Sequence, residues 1–388
     1  MELQQGFTSI INWLAKTKEH DDVIADAIAY DNKKAERLTF LNKTIGLPIN
    51  KTHVLPLSSF DINSKDLSSV IEDRGGENIQ HAFRVAPMEG FANIFDIQKH
   101  YGLTFNEFSD KLKTLEIPLD KAEVRITNFR GSPLGFSAVI LITKDGIIGE
   151  VVDDDLYVLT YMDSVKEGKS AVSFFKEPNS PVVVLSKNEV MVAKVNEILN
   201  KLSTNGKDAE LNEAGYETSD GYVIGYYEYV EGKNGDSAFT DMNTKRISNN
   251  ISVKDAILQF KRKVEGGDEV GVDVGGSTTG RDQSRIQGLV VYKKDLKVEG
   301  RVCLFRDDLV ELPENVIFVS PMTTVDHLPF MKKALAVVTD FGGLMSHPAI
   351  ISRELQIPTV VGTRNASKVL KEGDMIVIDM ESGVIEIL

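Results

Sequence analysis

The chain has 388 residues, 42% of them hydrophobic and 26% charged, a balance that allows two or three cores and excludes a disordered or fibrous protein. Its formal net charge of −14 opposes a nucleic-acid backbone, whose binding needs clustered Lys and Arg. No apolar run approaches the ~20 residues of a membrane span. The single cysteine, Cys303, excludes an intramolecular disulfide and a cysteine-built zinc site, and reads as a packing residue. With no basic, apolar leader in MELQQGFTSIINWLAKTKEHDD, a cytoplasmic protein is expected.

From Met1 to about Ile45, apolar residues recur at three and four (Ile10, Ile11, Trp13, Leu14; Ile24, Ala27, Ile28; Leu38, Leu41), which predicts amphipathic helices. Gly46 to Pro48 stops the pattern. The Ser-, Asp- and Asn-rich stretch to about Gly76 reads as irregular. AEVRITNF and FSAVILITKDGIIGEVV read as strands, with Lys144, Asp145 and Gly146 at a hairpin turn. VVVLSKNEVMVAKVNEILNKL predicts a strand and then a helix from near Ser186 to about Leu202. GYVIGYYEYVEG and DSAFTDMNTKRI read as two further strands.

From Val264 to Arg285 the composition shifts to Gly, Asp, Ser and Thr, as a domain boundary would. A phosphate-binding glycine loop is the competing reading, although GGSTTG lacks the Lys and spacing of a P-loop. Beyond it IQGLVVYKK, VIFVSP, LAVVTD, TVVGT and MIVIDMESGVIEIL read as short buried strands, with MSHPAIISREL as the one strong helix. The division predicted is a helical segment 1–75, a body 76–263, a linker 264–285 and a second domain 286–388.

The residues that carry chemistry run from Thr339 to Glu354. The strand ALAVVTD enters a two-glycine turn, Gly342 and Gly343, and then a helix with Ser346 as its expected N-cap. His347 falls in the first helical turn, where Pro348 is tolerated. Free amides and the positive end of the helix dipole favour an anion there. A neutral imidazole is also a competent nucleophile. Thr339 is a candidate partner for the other ring nitrogen, and Arg353 for phosphoryl oxygens.

TDFGGLMSHPAIISRELQIPTVVGT resembles the phosphohistidine swivelling domain of the PEP-utilising enzymes: phosphoenolpyruvate synthase, pyruvate phosphate dikinase, rifampin phosphotransferase and the phenylphosphate synthase group. The likeness runs from about Ser284 (SRIQGLVV), through SPMTTVDHLPFMKKA, to GDMIVIDMESGVIEIL. It implies that His347 is the phosphorylated residue, supported by Thr339, Gly342, Gly343, Ser346 and Arg353. Pro348 departs from the small residue more usual in the family, and a first turn accommodates it.

Swivelling domains of this family visit an ATP-grasp nucleotide domain. The resemblance therefore implies an α/β and α+β chain, an ATP-grasp-like body followed by a β/β/α swivelling phosphohistidine domain. FTDMNTKR resembles the acidic-x-Asn-x-basic strand that closes such a site, assigning Asp241 and Asn243 to Mg²⁺, and Lys245 or Arg246 to phosphate. A polar strand end is the alternative reading of so short a motif. VRITNFRGSPLGFSAVILITKDGIIGEVV resembles the hinge strand and hairpin of the same fold, with Glu150 as a further metal ligand and Arg125 as a nucleotide contact. Arg84, in HAFRVAPMEGFANIF, is the candidate for the family's nucleotide loop, with a structural Arg as the alternative.

The implied reaction takes the β-phosphate of ATP onto His347, releases AMP and phosphate, and swings the domain to a small-molecule acceptor. The alternatives are a carrier charged by a partner protein or by phosphoenolpyruvate, and a regulatory relative. Because Leu388 follows directly on the swivelling domain, the acceptor is expected on a separate subunit or within the first three quarters of the chain. A homodimer through the fixed part, without nucleic acid or membrane, completes the expectation.

Overall fold

The computed structural model describes residues 33–49, 52–88, 98–128, 135–153, 171–233, 235–243, 252–265, 286–306, 308–323 and 327–388. The helices expected before residue 33, residues 266–285 of the expected linker, and both Lys245 and Arg246 lie outside the described residues. The chain divides into two compact units: Met1–Leu134 with Glu231–Thr240, and Gly135–Val230 with Asp241–Leu388.

Unit 1 begins with α1 (Lys34–Ile45), whose Leu38 and Leu41 are buried and whose C-cap, Gly46, takes a left-handed φ of 75°. That is the conformation in which a glycine ends a helix at least cost. The stretch expected to be irregular is ordered. It forms β1 (His53–Pro56) and α2 (Lys65–Asp73). Ser64 caps α2 by accepting from Leu67 N at 3.2 Å. Leu67, Val70 and Ile71, at helical spacing, are its buried stripe; the many polar residues around them masked that pattern.

Next come β2 (His81–Pro87), β3 (Gln98–Leu103), α3 (Phe105–Leu112) and β4 (Ala122–Asn128). The sheet is antiparallel in the order β1-β4-β2-β3. A capping box between Thr104 and Glu107 starts α3. Phe83, Phe105 and Phe108 join the α2 stripe in one core, where Phe83 stacks on Phe108 at 4.1 Å.

Unit 2 opens with the hairpin β5 (Phe136–Thr143) and β6 (Gly146–Val152), turned at Lys144 and Asp145 as the sequence predicts. It continues with β7 (Val172–Lys176), β8 (Val183–Val184), α4 (Glu189–Lys201), α5 (Asp208–Glu213), β9 (Thr218–Ser219), β10 (Tyr222–Val223), β11 (Gly225–Glu231) and β12 (Ser237–Asn243), of which Glu231 and Ser237–Thr240 are counted with unit 1. The helix expected from Ser186 starts later, because Asn188 caps it with an oxygen that accepts from Val190 N and Met191 N. The main sheet has the order β12-β11-β5-β6-β7-β8. Helix α6 (Val253–Glu265) follows, and its Val253, Ala256, Ile257 and Phe260 share a core with β5, β6 and β7.

The C-terminal part contains β13 (Ile286–Gln287), β14 (Leu289–Tyr292), β15 (Lys297–Leu304), β16 (Val316–Ser320), α7 (Leu328–Lys333), β17 (Ala336–Thr339), α8 (His347–Glu354), β18 (Thr359–Val361), α9 (Ala366–Val369), β19 (Met375–Asp379) and β20 (Val384–Ile387). Its eight-stranded sheet runs β13-β20-β19-β15-β16-β17-β18-β14. β15, β16, β17 and β18 are parallel at its centre. Buried Val302, Ile317, Val319, Val338, Val360 and Ile378 form its core. Cys303 is buried, as a packing residue should be. The molecule is thus mixed, with an antiparallel sheet in unit 1 and a parallel-centred one in unit 2. Among the described residues no helix is long and apolar enough to cross a membrane.

Candidate functional site

The loop from Thr339 to Ser346 leaves the carboxyl end of β17, the end of a parallel strand at which open α/β sheets place their ligands. Its base is pinned from several sides. Asp340, 1% exposed, accepts from Ser367 N at 2.9 Å and Thr363 Oγ1 at 3.1 Å, and is also bonded to the Ser367 hydroxyl. Thr363 N donates to Thr339 O at 3.1 Å, and Arg364 N to Asp340 O at 2.8 Å. The Thr339 hydroxyl donates to Phe341 O at 2.7 Å. Gly342 takes a φ of 122°, and its carbonyl lies where a Cβ at Gly362 would come within 2.8 Å.

α8 starts where the sequence predicts. Ser346 occupies the N-cap position and His347 is the first helical residue. The cap itself differs from expectation: the Ser346 hydroxyl donates backward to Gly343 O at 2.8 Å, and no side chain among the described residues caps the helix. The amides of this first turn thus keep their capacity for an anion, with the dipole reinforcing it. Arg353, 5% exposed, donates through Nη2 to Leu344 O at 2.6 Å, so it braces the loop across the helix.

The far side of the loop rests on the first sheet of unit 2. Leu344 N donates to Glu150 Oε1 at 3.1 Å, and Leu344 and Met345 are buried in one apolar cluster with Val139, Leu141, Ile148 and Phe260. Glu150 lies mid-sheet on β6, opposite Val139 of β5 and Ser173 of β7. The negative field of this patch converges on Tyr226, whose hydroxyl donates to Glu228 Oε1 at 2.9 Å. Burial first, then Glu228, Asp241 and Glu150, push the Tyr226 phenol well above its ordinary range.

The other predicted residues are placed as follows. Thr339, Gly342, Gly343, Ser346 and Arg353 gather in the His347 loop, and Glu150 joins them. Asp241 and Asn243 stand two apart on β12 and so project to one face of the strand. Asp241 is buried, and its Oδ1 accepts from Met242 N at 2.6 Å. Carboxyl and amide oxygens are the hard donors that Mg²⁺ takes. Among the described residues no group of three or more His, Cys, Asp or Glu side chains is arranged to hold a metal ion. Arg84 is on a strand, not in a loop, directly across from Arg125 in the β2–β4 pairing of unit 1. Arg125 contacts Glu123 at 2.7 Å.

Sequence reasoning missed Asp340, Thr363 and Ser367 as the base of the loop, and Leu344 and Met345 as its docking face. It also missed Gln259 of α6, which donates through Nε2 to Val290 O at 3.1 Å and accepts from Val290 N at 2.8 Å. Arg262 adds a bond to Glu381 O at 3.1 Å. The apolar pair in GGLMSH was a usable signal for docking. A glutamine that reads a strand edge leaves none.

Residues 312–383 match the family described as PEP-utilising enzyme, mobile domain. A probable phosphoenolpyruvate synthase from Archaeoglobus fulgidus is 46% identical over 85 residues, 22% of this chain and 11% of that protein. The alignment therefore spans about a ninth of the relative's length. Among solved structures, an Enzyme I protein shares 35% identity, covering 21% of this chain and 33% of its own, with a TM-score of 0.19. The ATP-grasp ligase PsnB, complexed with a minimal precursor, Mg and ADP, shares 10% identity over 58% of this chain and 54% of its own, with a TM-score of 0.27. With the two-glycine turn, the helix start and the residue match in agreement, residues 312–383 are a mobile domain of the PEP-utilising enzyme family.

Proposed function

We propose that the protein is an ATP-dependent phosphotransferase of the dikinase type, with His347 as the group that carries phosphate. The observation that carries the reading is the loop itself. The loop that ends at the helix start of His347, where no side chain among the described residues caps the helix, is tied through Leu344 N to Glu150 on a sheet that also bears Glu228 and Asp241. A histidine that must collect a phosphoryl group from a nucleotide needs such an approach to a second surface.

In the reaction proposed, a ring nitrogen of His347 attacks the β-phosphorus of ATP. The N–P bond forms as the bridge from the α-phosphorus breaks, and AMP leaves with the electron pair. Water then cleaves the bridge to the γ-phosphorus and releases inorganic phosphate. Asp241 and Asn243 would hold Mg²⁺, which neutralises the charge that develops on the phosphate oxygens. Lys245 or Arg246, with Arg84 and Arg125, are proposed to meet the nucleotide, and Arg353 and Thr339 to keep the loop in shape. Residues 286–388 then carry the phosphoryl group on the 264–285 linker to a small-molecule acceptor, bound on the body or on a second subunit, and conformational exchange limits turnover. A second reading, a carrier charged by a partner or by phosphoenolpyruvate, draws support from a family match confined to residues 312–383.

Incubation with Mg²⁺ and ATP labelled at the β or the γ position separates them. Label retained only from the β position, in an acid-labile and base-stable bond abolished by His347→Ala, is the expected result. Label that appears only after a partner or phosphoenolpyruvate is added would favour the carrier, and none under any condition would end both readings.

A further inference from the structure

Gly342 and Gly343 are adjacent, yet they are glycines for different reasons. Gly342 needs its φ of 122°, which side chains rarely tolerate. Gly343 lies outside the left-handed region, so its backbone would admit other residues. What it lacks is space: a Cβ there would stand 1.6 Å from Glu150 Oε1, 2.3 Å from Cδ and 2.5 Å from Oε2. All three of the nearest atoms belong to one side chain on another sheet, and that side chain, 4% exposed, accepts the amide of the next residue in the loop. A carboxyl group buried mid-sheet is costly unless its oxygens are met by donors, and Leu344 N is one such donor.

We propose that Glu150 is the seat for the His347 loop, a positioning residue that selects the docked station, and that Gly343 is the clearance which admits it. The seat fixes the height of the loop over the sheet through the missing Cβ, and its register through the Leu344 amide. The inference rests on the phosphotransfer reading only in taking the docked station as the place where His347 is charged.

The test is a size-exchange cycle on the full chain with two readouts: hydrogen exchange of the segment 341–346, and the rate at which His347 takes label from Mg²⁺ and ATP. Gly343→Ala overfills the seat, and protection of that segment and charging should each fall roughly tenfold or more. Glu150→Ala removes the obstructing atoms along with the acceptor, and should give an intermediate loss. The double variant should return to the Glu150→Ala level, above Gly343→Ala. Glu150→Gln, which keeps a side-chain oxygen for Leu344 N, should exceed Glu150→Ala in both readouts.

A double variant no better than Gly343→Ala would overturn the seat, as would unchanged protection in Gly343→Ala. Circular dichroism of each variant identifies any that misfolds, and the comparison of the double with Gly343→Ala still decides, because a defect with any origin other than the Glu150 contact would not be relieved by deleting the Glu150 side chain. If protection follows the cycle while no protein, wild type included, takes label, the seat stands and the charging reading falls.

Discussion

Asp340 shows how much of the loop before His347 is held from its base. Its carboxyl group gathers a backbone amide and two hydroxyls from the Thr363–Ser367 turn, deep in the protein. Replacement by Ala leaves those donors without an acceptor, and should cost about 2–4 kcal/mol of stability. Chemical denaturation measures this, and labelling of His347 should fall with it; Asp340→Asn, which retains one acceptor, should recover part of both. At this scale the motif was legible in the sequence: the glycines, Ser346, His347 and Arg353 sit where the strand-to-helix turn requires. The bonds they make were not legible. Ser346 and Arg353 turn inward onto Gly343 and Leu344 carbonyls, because a tight turn creates buried acceptors that must be met.

At the scale of elements, α6 does what no periodicity announces. Its apolar side, with Ala256, Ile257 and Phe260, packs on the β5–β7 sheet, while Gln259 pairs with both backbone groups of Val290 on β14, the terminal strand of the other sheet. A primary amide presents one donor and one acceptor in the same plane, which is how a neighbouring strand would meet that edge. Gln259→Leu keeps the bulk and loses both bonds. It should cost about 1–3 kcal/mol and speed hydrogen exchange at the Val290 amide, whereas unchanged exchange there would show that the pairing contributes nothing. α6 escaped the sequence reading because its sequence merges into the Gly-rich stretch that follows, and α2 because Ser and Asp outnumber its three buried residues. The β5–β6 hairpin and the other strands of the C-terminal sheet were read correctly, since β-branched runs between turn residues leave few alternatives, but β15 was missed, because Lys297, Glu299 and Arg301 interrupt its apolar residues.

For the whole molecule, the mixed fold was legible, whereas the inclusion of Glu231–Thr240 with the N-terminal residues in one unit was not. Strand pairing across a long separation in sequence has no local signature. The two units have separate cores, and acid should distinguish them. His81, 1% exposed in unit 1 against Phe83 and Phe105, has its pKa lowered from 6.5 to about 4 by burial, with the Arg74 charge adding to it. Above about pH 6.5 the ring is neutral in the folded and unfolded chains alike, and the full stability is present. Between pH 6.5 and 4 the unfolded chain takes a proton that the folded one refuses, so unit 1 should lose on the order of 3 kcal/mol across that window. Thermal melts at stepped pH, followed by hydrogen exchange of each unit, should show this acid slope in unit 1 and its reduction in His81→Phe.

In the cycle proposed above, a part that leaves its dock must also survive with its flank uncovered. When Gln259 lets go, Val290 presents an open peptide group beside apolar Leu289, the kind of rim on which stray chains add themselves. β14 has only four residues, and its register slips between Val290 and Tyr292, so a would-be intruder meets a short, kinked template. The irregularity that makes this strand a modest member of its sheet would also keep the domain, in the proposed cycle, from gathering company on its journey.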